Sequence, residues 1–301
     1  LQAGDLGFAI APRLNAAGRM QDMSLGIQCL LTDDPGLAKQ LATRLDTLNQ
    51  DRREVEGQMK QEAMTLLSEM KTIDDKQVSA GICLFDEGWH QGVIGILASR
   101  IKDRVHRPVI AFAPGEPGEI KGSARSIQGV HIRDVLSEIA AEYPEILHKF
   151  GGHAMAAGLT IKRRDYPQFV LLFSDVVAGK LSELDLQQKV LSDGQLDDTH
   201  LNLTFAEHLR TVATWGQGFP EPMFDGVFDV IQCRIVGQQH LKFVLRPLFS
   251  SQMLDAIGFF AEHPDNWLGC RKLRAVYKLD INEFRNQRSL QLQLEYAERM
   301  D

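Results

Sequence analysis

The sequence predicts a mixed α/β domain, entered through one long amphipathic helix and followed by a small all-β barrel. Three observations point there. Apolar residues recur every three, four or seven positions over residues 34–70, apolar runs alternate with helical stretches between 78 and 178, and the period becomes two beyond residue 224.

The long helix is written in Leu41, Leu45, Leu48, Val55, Met59, Ala63, Leu66 and Met70, with Pro35 suited to a first helical turn. Its opposite face carries Arg52, Arg53, Glu54, Glu56 and Lys60. About 30 helical residues extend ~45 Å, more than one small domain needs, so the helix reads as a connection between domains. A helix lying along a single core has the same spacing. Next come an apolar run at 78–85, a glycine-bearing turn at 87–92, a helical stretch at 93–105 and a second run at 108–112, which together make a β-α-β unit. A strand at 120–126, a helix at 131–143, a glycine-rich turn at Gly151 and a helix at 166–178 complete this domain near Leu181.

Residues 182–200 are acidic and polar and read as a linker with a short helix. Beyond them, 224–236, 240–246, 253–261, 273–281 and 289–296 read as five strands joined by turns. Five short strands in ~80 residues suit a closed barrel of the OB type. A β-sandwich shares that periodicity.

The 301 residues, 44% hydrophobic and 24% charged, supply apolar material for two or three modules. A formal net charge of -7 and a pI near 5.7 exclude a pervasive positive field as the means of holding nucleic acid, so any such binding has to be local. Cys29, Cys83, Cys233 and Cys270 lie far apart without CxxC spacing, which indicates neither a zinc site nor a disulfide framework. Reduced core thiols in a cytoplasmic protein are expected. No apolar run reaches the ~18 residues of a membrane span, and the first residues lack the features of a signal peptide. The chain opens at Leu1 inside what reads as a domain already under way, so a fragment is expected.

Three segments carry candidate chemistry. APRLNAAGR at 11–19 sets Arg13, Asn15 and Arg19 among small residues, where a ligand can approach the backbone and planar guanidinium forks can meet phosphate oxygens. KGSARS at 121–126 offers Ser123 and Arg125 at a strand end, where α/β domains favour phosphate sites. In KFGGHAMAAG, Gly151 and Gly152 permit a turn whose amides can face an anion, and His153 can donate to phosphate or ligate a metal. Each has a plainer counterpart: arginines paired with carboxylates, an ordinary surface loop, a structural histidine. His90, in the turn before a helix, can hold an anion or simply pack.

GxxxxGK[ST] and GxGxxG are absent, which argues against a nucleotide-triphosphate enzyme or a dehydrogenase, and GxSxG and HExxH are absent too. Two-metal phosphodiester hydrolysis needs several converging carboxylates and histidines. The pairs Asp33-Asp34, Asp74-Asp75 and Asp197-Asp198 make no such set, so no metal ligand is assigned within the chain.

APRLNAAGR, WHQGVIGILASRI, KGSARS, HIRDVL and KFGGHAMAAG, in this order and spacing, resemble the DHH phosphoesterase superfamily. WGQGFPEPMF at 215–224, leading into the barrel, resembles the RecJ family within it. The resemblance covers nearly the whole chain. It implies that residues 1–33 are the tail of the DHH catalytic domain, 34–73 the connecting helix, 74–181 the DHH-associated domain and 182–301 a linker with an OB-fold.

It further implies a single-strand-specific 5′-to-3′ DNA exonuclease of repair and recombination, whose manganese or magnesium is bound upstream of this chain. Asn15, Arg19, Ser123, Arg125 and His153 match the family's phosphate contacts, with Gly151 and Gly152 shaping their loop. Whether Arg13 and His90 touch substrate or hold loops stays open. The barrel, with ten Lys or Arg against ten Asp or Glu over 224–301, needs a clustered strand path, for which Arg271, Lys272 and Arg274 are the candidates. Implied partners are single-stranded DNA, single-strand-binding protein and a RecQ-type helicase. Two rivals remain: another phosphoesterase of the superfamily, such as an oligoribonuclease or a pyrophosphatase, and a barrel acting chiefly as a docking module for single-strand-binding protein.

Overall fold

The computed structural model describes residues 4–73, 79–182, 189–216, 218–237, 240–248, 250–259, 261, 263–284 and 287–301. The predicted strand start at 78, the pair Asp74-Asp75, the side chain of Met70 and residues 183–188 of the predicted linker lie outside the described residues. The chain divides into two units, Leu1–Gln188 and Lys189–Asp301.

In the first unit a π-helical turn, Asp5–Ile10, runs into α1 (Ala11–Met20), followed by α2 (Ser24–Leu31) and the 39-residue α3 (Pro35–Ile73). At ~1.5 Å per residue α3 extends about 58 Å. Its apolar face is shared between two cores. Leu45 and Leu48 pack with Ala16 and Ala17 of α1, while Met59, Ala63 and Leu67 join the α/β core. The helix therefore connects two packed regions, which is why its apolar stripe outlasts a single core.

The sheet is built from β1 (Ile82–Phe85), β2 (Val109–Pro114), β3 (Glu119–Arg125), β4 (Lys149–Gly152) and β5 (Ala156–Lys162), in the order β1-β2-β3-β5-β4. Only β1 and β2 pair in parallel, across α4 (Ile94–Val105); the rest are antiparallel, so the sheet is mixed. One face, with Cys83, Ile110, Phe112, Ile120, Ala124 and Leu159, is covered by α5 (Ile132–Glu142) and α6 (Tyr166–Ala178). Phe112 meets Tyr166 and Phe169 edge-on there. The other face is apolar only on β1 and β2, where Ile82, Leu84, Val109 and Ala111 pack against α4 and α3.

Gly151 and Gly152, expected in a turn, instead close strand β4. β4 and β5 escaped the reading because glycine and alanine display little apolar alternation.

In the second unit a 3-10 turn, Asp198–His200, lies at the end of the segment expected to hold a short helix, and α7 (Leu203–Val212) follows, capped by Asn202, which accepts from the Phe205 amide. Five strands follow: β6 (Phe224–Val236), β7 (His240–Pro247), β8 (Leu254–Gly258), β9 (Lys272–Phe284) and β10 (Gln287–Arg299). They close into a barrel ordered β10-β8-β7-β6-β9, with β8 and β10 parallel, which decides against the sandwich. Phe228, Phe243, Leu245, Ala256, Leu273, Tyr277 and Leu292 fill it.

Candidate nucleic-acid interface

The α4-side face of the sheet changes character from strand to strand. On β1 and β2 it is apolar and covered. On β3 it presents Lys121, Ser123 and Arg125, which alternate with the buried Ile120 and Ala124. On β5 and β4 it is nearly bare, because Ser123 lies opposite Gly158 and Gly158 opposite Gly151. With strands ~4.8 Å apart, two exposed glycines floor about 10 Å of surface beside Ser123. A backbone-sized ligand can lie flat there.

Arg125 is the half-buried centre of this surface. Its Nη1 donates to the Ser123 hydroxyl at 3.0 Å and to the Ala124 carbonyl at 2.8 Å. Gly95, in the first turn of α4, leaves room for it: a Cβ there would stand 2.8 Å from Arg125 Nη2 and 3.0 Å from Ser123 Oγ. Arg19, in the last turn of α1, is brought up by a close backbone contact, since a Cβ on Gly92 would stand 2.0 Å from the Arg19 carbonyl oxygen. Arg19 Nη1 also approaches the Gly92 carbonyl at 3.4 Å. Burial, and then the positive charge of Arg19, lower the Arg125 pKa from its ordinary value. Among the described residues neither arginine has a carboxylate partner. Two guanidinium groups that feel each other's charge make an arrangement that can hold an anion.

Asn15, exposed, lies one turn before Arg19 on the same face of α1. The 153–155 turn is tied down by three backbone bonds: His153 donates to Ala156, Ser126 to Met155 and Ile132 to Ala154. Those bonds hold the exposed His153 side chain near the end of β3, where Arg125 pairs with Ala156. The His153 amide is thereby used within the turn rather than offered to an anion. Gly152, at φ +151, has no room for a Cβ, which would stand 2.4 Å from the Ala156 oxygen.

Arg13 and His90 have scaffold contacts instead. Arg13 pairs with Asp46 of α3 at 2.7 Å, and the His90 ring accepts from the Gly92 amide at 3.1 Å while its carbonyl receives the first amides of α4. Sequence reasoning passed over Lys149 on β4. Its register through Thr160 to Lys121 sets a second cation beside the glycine floor, a signal visible only once β4 is known to be a strand.

Two family models match the chain, the DHHA1 domain over residues 75–179 and the RecJ OB domain over residues 192–296. The chain belongs to the RecJ family. It is 48% identical over 304 residues to the single-stranded-DNA-specific exonuclease RecJ of Haemophilus influenzae, covering 99% of this chain and 52% of that protein. It is 49% identical over 295 residues to the exonuclease of the same name from Escherichia coli, covering 97% and 51%. The crystal structure of Thermus thermophilus RecJ in complex with Mg2+ superposes with a TM-score of 0.78 at 26% identity, over 100% of this chain and 44% of that one. The same protein's complex with Mn2+ gives 0.77. This RecJ-family chain thus spans about half the length of the curated relatives it matches.

Among its described residues, no group of three or more His, Cys, Asp or Glu is placed to hold a metal ion, and the four cysteines are free. No described helix is long and apolar enough to cross a membrane. In the barrel, Arg274 stands 3.7 Å from Asp225, whereas Asp229, which lies opposite Lys272 in register, pairs with Arg246 at 2.8 Å. Arg271 is exposed.

Proposed function

We propose that this chain supplies the phosphate- and strand-gripping part of a 5′-to-3′ exonuclease that degrades single-stranded DNA in repair and recombination. The observation that carries the reading is the Arg19–Arg125 pair, without a carboxylate partner among the described residues and beside a floor of Gly151 and Gly158. Arg125, Arg19, Ser123 and Asn15 hold phosphate oxygens of the strand, and His153 donates to the phosphate next to the reacting one. Electrostatic donors preorganised in this way stabilise charge that develops on phosphoryl oxygens. On this reading manganese or magnesium, the metals of the Thermus thermophilus RecJ complexes, and the hydrolytic step belong to the part of the RecJ relatives that lies outside this chain. Single-stranded DNA is the substrate, single-strand-binding protein and a RecQ-type helicase are the partners, and the setting is cytoplasmic.

Two measurements test this. The 301-residue chain supplied with Mn2+ is expected to bind a single strand without degrading it, and metal-dependent cleavage by the pure chain would show an active site within it. In the full-length protein, Arg125→Ala should reduce turnover far more than affinity for a long strand. Unchanged turnover with an equal loss in affinity and in kcat/KM would move Arg125 to remote binding.

A further inference from the structure

The glycine floor ends in a row of cations. On its α4-side face β3 steps from Arg125 to Ser123 to Lys121, and the sheet register carries each step across β5 and β4. Ser123 leads to Gly158 and Gly151, and Lys121 leads to Thr160 and Lys149. Thr160, flanked by the two lysines, is only 7% exposed, whereas Gly158 on the same face is exposed. Long lysine stems can cover a neighbour in this way while their ammonium groups reach water.

The charge of this row is unspent. Lys121 Nζ donates to Gln91 Oε1 at 3.3 Å, an uncharged partner that fixes the ammonium without neutralising it. Lys149 is exposed on the edge strand, and neither lysine forms an ion pair with a carboxylate among the described residues. In the row beyond, Glu119 lies opposite Lys162, so the positive surface stops there. The spacing suits a sugar–phosphate chain. Arg125 folds back until its Nη1 is 3.0 Å from Ser123 Oγ, which sets the first anion over the Ser123 row. The lysine row lies two residues further along the strands, about 6.6–6.8 Å away, a distance comparable to that between successive phosphates of an extended strand. Gly158 and Gly151 leave the link between the two anions room to lie against backbone.

We propose that Lys121 and Lys149 form a second phosphate station, which takes the phosphate adjacent to the one held by Arg19 and Arg125. The inference rests on the phosphate reading of Arg125 above and adds a length preference to it: a ligand with a single phosphate fills the arginine station alone, and a ligand with two fills both.

The test uses thymidine 5′-monophosphate and the 5′-phosphorylated thymidine dinucleotide as competitors of a labelled hexanucleotide, read by fluorescence anisotropy with the 301-residue chain. In the parent the dinucleotide should bind about five-fold more tightly than the mononucleotide, the upper range for an exposed ion pair. Lys121→Gln combined with Lys149→Gln should abolish that gain and leave the mononucleotide affinity unchanged. The same variant should lower the logarithmic salt slope of the hexanucleotide by ~0.7, one phosphate contact. Lys149→Arg should keep the gain and the slope. Thermal melts confirm folding, and if the double variant does not fold, Lys149→Gln alone decides by the same comparison. An undiminished gain takes the lysines off the strand path, and equal weakening of both competitors puts them on the same phosphate as the arginines; either result overturns the second station and leaves the Arg125 reading standing. Mononucleotide affinity that Arg125→Ala does not move overturns both.

Discussion

Replacing Gly95 by alanine should leave the first unit as stable as before while weakening its hold on a short single strand. The added methyl would lie 2.8 Å from Arg125 Nη2 and 3.0 Å from Ser123 Oγ. Ordinary carbon contacts begin near ~3.5 Å, so these side-chain ends must retreat by about 0.7 Å. The backbone of α4 need not move, because both neighbours are flexible tips. Alanine in a helix is favoured over glycine by about 0.5–1 kcal/mol, which in a unit of this size keeps the Tm at or a few degrees above the parent.

The displaced guanidinium loses its alignment with a phosphate. A hydrogen bond to a charged group contributes ~1.5–3 kcal/mol, so affinity for a hexanucleotide should fall at least about ten-fold. Its logarithmic salt slope should drop by ~0.7. Anisotropy titrations at several salt concentrations measure both. Affinity and slope equal to the parent's, in a variant that melts normally, would refute the assignment of Arg125 to phosphate. Gly92→Ala is the contrasting control. Its Cβ would meet backbone, the Arg19 carbonyl oxygen at 2.0 Å, so overpacking of ~1–3 kcal/mol should lower the Tm by about 2–12 °C as well as disturbing Arg19.

Replacing Arg271, Lys272 and Arg274 together by alanine should flatten the salt slope by ~1.4, because Asp225 already faces Arg274 while Asp229, opposite Lys272, is paired with Arg246; a fall of ~2 would show that all three meet phosphates. Alkaline stability follows from two phenols, Tyr277 buried and Tyr166 half-buried. Burial raises the pKa of Tyr166, with Cys83 adding to it, and of Tyr277, with Asp225 and Asp198 adding. Unfolded tyrosine ionises near pH ~10, so above that pH the native state holds more protons than the unfolded one and stability declines as pH rises. Melts should be flat from about pH 8 to 9 and fall beyond ~10, less steeply for the barrel in Tyr277→Phe. A pH-independent Tm up to about 11 would contradict this.

Much of the architecture was legible in local pattern. The long helix, the parallel β-α-β unit and all five barrel strands announce themselves through side-chain periodicity, because each element must bury one face and its neighbours in sequence record that face. Strand β6 (Phe224–Val236) and helix α6 (Tyr166–Ala178) coincide with the spans read from the sequence. Strands β4 and β5 were not legible, since Gly151, Gly152, Ala156 and Gly158 have almost no side chains with which to display a period. The short motifs named Asn15, Arg19, Ser123 and Arg125, but their chemistry stayed ambiguous, as an arginine beside serines is equally a surface loop.

What only the tertiary structure decided is which groups meet. The near-contact of Gly92 with the Arg19 carbonyl, and the register that lines up Ser123, Gly158 and Gly151, join segments far apart in the chain. The same holds for Arg13, whose contact with Asp46 joins residues that no local spacing pairs, while the His90 ring meets the Gly92 amide within its own turn. Residue type and spacing are set locally. The charge a guanidinium feels is set by neighbours that the pairing of strands and the crossing of helices bring to it, and no periodicity in the sequence encodes them.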